Sequence, residues 1–305
     1  MKKKLAIYFS YLVSAVFLYM TLRGIDYSEV LKSLKSFDAE LVLFASIIYL
    51  FSFLFRGFRL KLILDNEIDN KVAVSSNLIA YALNNFLPLK GGDIYKIYFL
   101  KKHGNVRKSV TTASVLIERL FDLVAVLTIF LLMIYFLNLD AATWKITSLV
   151  NVVLVMFLLL AIMLFVVSRY KHLNIEKLLK FANPDSLHVF MDCWRKLLTH
   201  KHFASVLFLS LLIWLIEGLV FYVVIGYDSM SLALIWMSTL ALSFVIPNAP
   251  GNIGLFEWVS IFVLTRFGFG EEQALSTGLM VHALQFTTLG VVGLILFYIY
   301  KKRVG

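Results

Sequence analysis

The sequence predicts an all-α integral membrane protein, with about six full transmembrane helices and two Pro/Gly-broken re-entrant helical hairpins in an inverted repeat. Three observations carry that expectation. Of 305 residues, 60% are hydrophobic and 16% charged, with a mean hydropathy of +0.84. Apolar runs of about twenty residues, the length that crosses a hydrocarbon core of about 30 Å, recur along the chain. They are unbroken rather than alternating, which argues against strands, and two of them are interrupted at "FLPLKGGD" and "VIPNAPGNIG".

The first run, Leu5 to Leu22, follows Lys2, Lys3 and Lys4 and lacks a small-x-small cleavage site, so it reads as an uncleaved span rather than a signal peptide. Further spans are expected at Leu41 to Leu64, Ser109 to Leu137, Ile146 to Ser168, Phe203 to Ile225 and Gln273 to Tyr300. The segments 72–100 and 232–265 are expected to be pairs of short helices joined by irregular turns, because proline removes a helical hydrogen bond and glycine tolerates non-helical angles. The stretch 169–202 is the longest polar one, so the chain reads as a single membrane domain over 1–305. Its amphipathic part, Asn174 to Leu198, is expected on the cytoplasmic membrane surface, with docking of a partner lipid-modifying enzyme as the second use.

Charge chooses between crossing and returning. If both broken segments return to the side they came from, Lys2 to Lys4, Lys61 to Lys71, "KKHGNVRK" and Lys301 to Arg303 share one face with the basic stretch 169–202. That face, with both termini, is then cytoplasmic in a cell (plasma) membrane. The +10 formal charge is explained by this bias and by anionic headgroups, without nucleic acid. A single cysteine, Cys193, excludes an internal disulfide and a cysteine metal cluster. No metal or cofactor motif is present, nor a nucleotide-binding loop.

The stretches "ALNNFLP" and "ALSFVIP" align without gaps, each followed by glycines and then by a span with an ionisable residue, Glu118 or His282. Three full spans separate them, so they enter from opposite faces, as in inverted repeats whose broken elements meet at a midplane substrate site. Asn84, Asn85 and Pro247 fall in these turns. Irregular backbone at that depth lines a polar cavity or is buried in protein.

Ionisable residues inside spans cost about 2.5–3.5 kcal/mol each at a helix centre, so they mark structure or function. Glu118 lies roughly 13 Å into its helix, and Asp122 can neighbour both Glu118 and Arg119 on its surface. A salt bridge between helices and a substrate or proton role are the two readings. Glu217, beside Gly218, has the same two readings, and His282 is either a relay or a hydrogen-bonded histidine. Arg56 and Arg59 sit near a span end, where snorkelling and headgroup binding compete. The glycine turns at Gly91, Gly92, Gly251 and Gly254 are expected to aim helix N-terminal amides at the cavity, a setting that binds phosphate, with Lys90, Lys96 and Arg119 adding charge. Asp93 and Glu257 fall in the first turns, where an acid also serves the helix itself.

"PLKGGDIYK" (Pro88 to Lys96), "ERLFD" (Glu118 to Asp122) and "PNAPGNIGLFE" (Pro247 to Glu257) resemble three signatures of the lysylphosphatidylglycerol synthase transmembrane region, also called the flippase-like integral membrane family. The resemblance covers nearly the whole chain in order and spacing. Where the family typically has Glu and Arg, this chain has Asp93 and Lys96, and His282 or a neighbour stands where an arginine is often found. The resemblance implies lipid translocation rather than aminoacyl transfer, because the soluble synthase domain is absent from this sequence. The expected activity is that of a flippase whose partners are lipids with an anionic or phosphate-bearing headgroup. A membrane-embedded lipid-modifying transferase and a proton-coupled small-solute transporter are the alternatives.

Overall fold

The computed structural model describes residues 2–137, 184–199, 202–226 and 229–302. Among these, eleven α-helices and no strand are present. They are α1 (Lys2–Leu22), α2 (Tyr27–Lys35), α3 (Ala39–Ile63), α4 (Asn70–Asn84), α5 (Gly91–His103), α6 (Lys108–Phe136), α7 (Pro184–Thr199), α8 (His202–Val224), α9 (Met230–Ser243), α10 (Leu255–Leu264) and α11 (Glu271–Lys302). By length and composition, α3, α8 and α11 each suffice to cross a bilayer, and α1 with α2 forms a bent pair at 90° that passes together. The expected span at Ile146 to Ser168, and residues 169–183 of the polar stretch, lie outside the described residues.

Two cleanly separated ends define the bundle. At one, Leu64, Ile68, Leu100, Val106 and Tyr300 pack into one apolar cluster, so the end of α3, both ends of the α4–α5 pair, the start of α6 and the end of α11 lie together. At the other, Asp38, Gly226, Phe269 and Gln273 line one small cavity, which joins the start of α3, the end of α8, the close of the α9–α10 pair and the start of α11. The α4–α5 hairpin therefore opens toward the first end and the α9–α10 hairpin toward the second. The first end carries the basic residues Lys71, Lys101, Lys102, Lys108 and Lys301, and the second carries Asp38, Glu40, Glu271 and Glu272.

Small residues set the spacing of this packing. A Cβ on Gly293 of α11 would lie 2.3 Å from Ala82 Cβ of α4, and one on Gly218 of α8 would lie 2.4 Å from Leu234 Cδ2 of α9. Close backbone approach of this kind is how helices associate in lipid, where no hydrophobic force drives them together. Large apolar side chains such as Leu5, Tyr8, Leu12 and Tyr19 on α1 face outward, as a lipid-bathed surface requires.

The segment Arg23 to Glu40, expected as a connecting loop, contains α2. Asp26 caps it by accepting from Ser28 N at 2.8 Å and from the Ser28 hydroxyl at 2.7 Å, and these bonds hold its carboxyl below the usual range. Val30 is buried beside Leu275 of α11, and Ser33 Oγ meets Ser276 Oγ at 2.6 Å. The helix is short and amphipathic, so span-length hydropathy does not register it.

Candidate functional site

The two broken segments meet in the middle of the bundle. After α4, Pro88 starts a short turn in which Leu89 (φ 55°) and Lys90 (φ 54°) are both left-handed. Two successive non-glycine residues in that region are unusual, and such strain concentrates at functional sites. After α9, the turn runs to Gly254, with Gly251 at φ 73°. A Cβ on Gly251 would lie 3.3 Å from the Asn85 carbonyl oxygen and 3.2 Å from the Phe286 ring, so glycine there lets the two turns touch.

A cavity of ≈ 510 Å³ lies at this junction. Arg56, Tyr81, Lys90, Arg119, Glu217 and His282 supply its polar wall. Leu87, Leu89, Val245 and Ile246 also line it yet are exposed, Val245 at 78%, so its rim is apolar. Asn84, Asn85, Pro247 and Gly251 complete the contribution of the two turns.

Behind that wall lies a network of buried charge. Arg56 is 2% exposed and donates to Glu217, while Tyr81 Oη accepts from Arg56 Nη1 at 2.9 Å and from Arg119 Nη1 at 3.2 Å. Arg59, 1% exposed, donates from Nη1 to Asp122 Oδ1 at 2.6 Å and to Ser210 Oγ at 2.9 Å, and sits 3.9 Å from Glu118 Oε1. Lys96 Nζ reaches Glu118 Oε2 at 2.6 Å and Asn77 Oδ1 at 2.8 Å. Arg119 turns away from Asp122 and grips both oxygens of Asp93, at 3.0 and 2.9 Å. The pairs tie α3, α4, α5, α6 and α8 together, and in low dielectric each charge needs its partner and its hydrogen bonds.

Several sequence expectations change in detail. Arg56 and Arg59 do not snorkel: their common face points at the carboxylates of α6 and α8, and both are sealed inside. Lys96 is 3% exposed and lies behind the cavity wall, bound to Glu118, rather than in it. Asp122 pairs with Arg59, not with Arg119, because Arg59 reaches it from α3 while Asp93 draws Arg119 to α5. Two of the turn amides expected to face an anion are already satisfied. Gly92 N donates to Asn84 Oδ1 at 2.9 Å, with Asn84 Nδ2 donating to Asp93 at 3.0 Å, and Gly254 N donates to Glu257 Oε2 at 2.7 Å. Gly92 and Gly254 are packing sites: a Cβ would lie 1.9 Å from Ala80 O and 2.6 Å from Ser14 O respectively. Gly91 sits against Leu87, where a Cβ would lie 2.9 Å from the Leu87 Cβ.

His282 anchors the second turn to α11. Its Nδ1 meets Glu257 Oε1 at 2.5 Å and its Nε2 meets the Gly251 carbonyl at 2.6 Å, while its ring stacks on Phe256 at 4.4 Å. A carbonyl only accepts, so Nε2 carries a hydrogen, and one further proton is shared between Nδ1 and Glu257.

Sequence reading missed Asn77, Tyr81, Trp214 and Asn248. Asn77, Tyr81 and Asn84 recur at helical spacing on one face of α4, a polar stripe in an apolar helix and therefore a readable signal. Trp214 donates from Nε1 to Asp122 Oδ1 at 3.1 Å, three residues before Glu217. Nothing in the pattern distinguishes it from an interfacial tryptophan.

The fold and the site define a helical membrane protein with a polar cavity between two broken helical hairpins. The chain belongs to the family of the lysylphosphatidylglycerol synthase transmembrane region, whose family model matches residues 7–293. It is 25% identical over 228 residues to a UPF0104 membrane protein of Methanocaldococcus jannaschii, an alignment covering 73% of this chain and 95% of that relative.

Proposed function

We propose that the protein is a lipid flippase, or translocase, that moves a phosphate-containing lipid, either a phospholipid or a polyprenyl-phosphate-linked one, between leaflets. A single observation carries the reading: one cavity joins a cationic polar interior to an exposed apolar rim, which matches an amphiphile with its headgroup inside and its tails in the bilayer. Family membership supports a membrane lipid-related role.

In this reading the two hairpins are re-entrant elements of an inverted repeat within about six full spans, and the basic end of the bundle, with both termini, faces the cytoplasm of a plasma membrane. Lys90, Arg119 and Arg56 hold the phosphate from the cavity wall. Asn84, Asn85, Pro247, Gly251, Glu217 and His282 shape the chamber. Lys96, Asp93, Glu118, Asp122, Arg59 and Glu257 hold those groups in place from behind, and Gly91, Gly92 and Gly254 permit the backbone approach. Rocking of one repeat against the other alternates access. Residues 169–202 lie along the cytoplasmic surface, where a partner lipid-modifying enzyme would dock.

Reconstitution into liposomes with fluorescently headgroup-labelled lipids and a leaflet-accessibility assay tests this. Protein-dependent exchange of phosphate-bearing lipids, reduced at least tenfold by Lys90→Ala combined with Arg119→Gln, is expected. No acceleration for any phosphate-bearing lipid would refute it, and a covalently altered lipid product would make the protein a transferase. Uptake of a water-soluble compound in place of lipid exchange would indicate a solute carrier.

A further inference from the structure

Two amide donors in the cavity wall have nothing to bind. Asn85, in the first turn, and Asn248, in the second, both line the cavity, and among the described residues the Nδ2 of each is buried without a hydrogen-bond partner. Most buried polar groups are satisfied, and leaving a donor orphaned costs about 1–3 kcal/mol. One such group arises by accident more readily than two facing the same chamber from separate elements. The turns that carry them are in contact, since the Asn85 carbonyl bounds the space at Gly251. A ligand presenting acceptors would satisfy both amides at once.

The charges around them restrict what that ligand is. Arg56, Arg59, Lys96 and Arg119 are each matched by a carboxylate among Glu217, Asp122, Glu118 and Asp93. His282 and Glu257 form a separate pair. Lys90, at the cavity, has no carboxylate within ion-pair distance among the described residues, so the wall carries one surplus positive charge. One surplus charge balances one phosphodiester, which is a monoanion. A phosphomonoester or a pyrophosphate would bring additional negative charge into low dielectric without a counter-ion. A cationic head would need an unpaired carboxylate in the wall, and each carboxylate there is already engaged. Uncharged amide donors are suited to uncharged acceptors such as hydroxyl oxygens.

We propose that Asn85 and Asn248, together with Lys90, form a headgroup subsite that selects a lipid bearing a single phosphodiester and an uncharged, hydroxyl-bearing head. This rests on the lipid-handling reading and names the lipid class it takes. The phosphodiester sits against Lys90, and the head hydroxyls accept from the two amides, which joins the two turns through the ligand.

Binding of the full-length protein in detergent to short-chain phosphatidylglycerol, phosphatidylmethanol and phosphatidic acid tests it. The first two share one diester charge and differ in the hydroxyls; the third is a monoester. Wild-type protein is expected to bind phosphatidylglycerol about fivefold or more tightly than phosphatidylmethanol, as two net hydrogen bonds imply, and phosphatidic acid more weakly than phosphatidylglycerol. Asn85→Ala with Asn248→Ala should remove the first preference while leaving phosphatidylmethanol binding unchanged. Lys90→Gln should weaken both diesters by a similar factor. Equal wild-type binding of the two diesters would overturn the subsite alone, without any variant having to fold, and so would a preference that survives the double substitution. Binding of none of the three would defeat the phosphate-lipid reading and the subsite with it.

Discussion

Lys96 of α5 and Glu118 of α6 meet at 2.6 Å in a setting where both are almost wholly buried, with Asn77 taking a second lysine hydrogen. The pair links the first hairpin to the helix that follows it, and its geometry is that of a lock between helices. Removing one member leaves an uncompensated charge in low dielectric, which typically costs 3–5 kcal/mol. Lys96→Met is therefore expected to lower thermal stability in detergent sharply. Lys96→Met combined with Glu118→Leu should recover a large part of that loss. Additive losses in the double variant, read from unfolding curves, would show that the two residues act separately.

Gly92 tests the packing of the first hairpin against itself. An alanine methyl there would overlap Ala80 O at 1.9 Å, and that atom belongs to backbone with no freedom to retreat. Gly92→Ala should abolish accumulation of folded protein, measured as monodisperse material after solubilisation. Gly270, which has nothing within 4 Å of a built Cβ, is the matched control, and Gly270→Ala should behave as wild type.

His282 bridges the second hairpin to α11 through acceptors on both ring nitrogens. Removing the ring frees the Gly251 carbonyl and leaves Glu257 without its partner. His282→Ala and Glu257→Ala should each destabilise the protein, and the double variant should be little worse than either single one. Full additivity in that cycle would mean the 2.5 Å contact is not an energetic unit.

Much of this architecture was legible because its signals are long or chemically costly. Span-length apolar runs give α3, α8 and α11 to within a few residues, and Pro88, Pro247 and Pro250 mark where the helices break. Intramembrane charges were found as such, since a carboxylate such as Glu118 stands out in hydrocarbon. Their partners were not legible. Asp122 has Arg119 three residues away in its own helix, yet it binds Arg59 of α3, and only tertiary packing decides that contest. The turn glycines were misassigned for a related reason: glycine serves a bound anion and a close helix equally well, and the sequence does not show that Ala80 O and Ser14 O occupy the space. Helix α2 stayed hidden because its nine residues bury only Val30 fully.

Topology is the point on which the two-hairpin reading is most exposed. If the α4–α5 hairpin returns to the side it came from, Lys71 and Lys102, which flank it, face the same compartment, together with Lys301 at the end of α11. Glu29 of α2 and Gly270 before α11 then face the other. All five are exposed, and Cys193 is the sole native cysteine, so single cysteines in a Cys193→Ser background report each position cleanly. A membrane-impermeant thiol reagent added to intact cells should label Glu29→Cys and Gly270→Cys, and should reach Lys71→Cys, Lys102→Cys and Lys301→Cys only after permeabilisation. The argument is stronger than a count of charges, because Ile68 and Val106 share one apolar cluster at that end and cannot be separated by a bilayer without dismantling it. Labelling of Lys71→Cys and Lys102→Cys from opposite sides would contradict both the charge bias and that packing. The two turns would then no longer meet at mid-membrane, and the cavity between them would lose its claim to a headgroup.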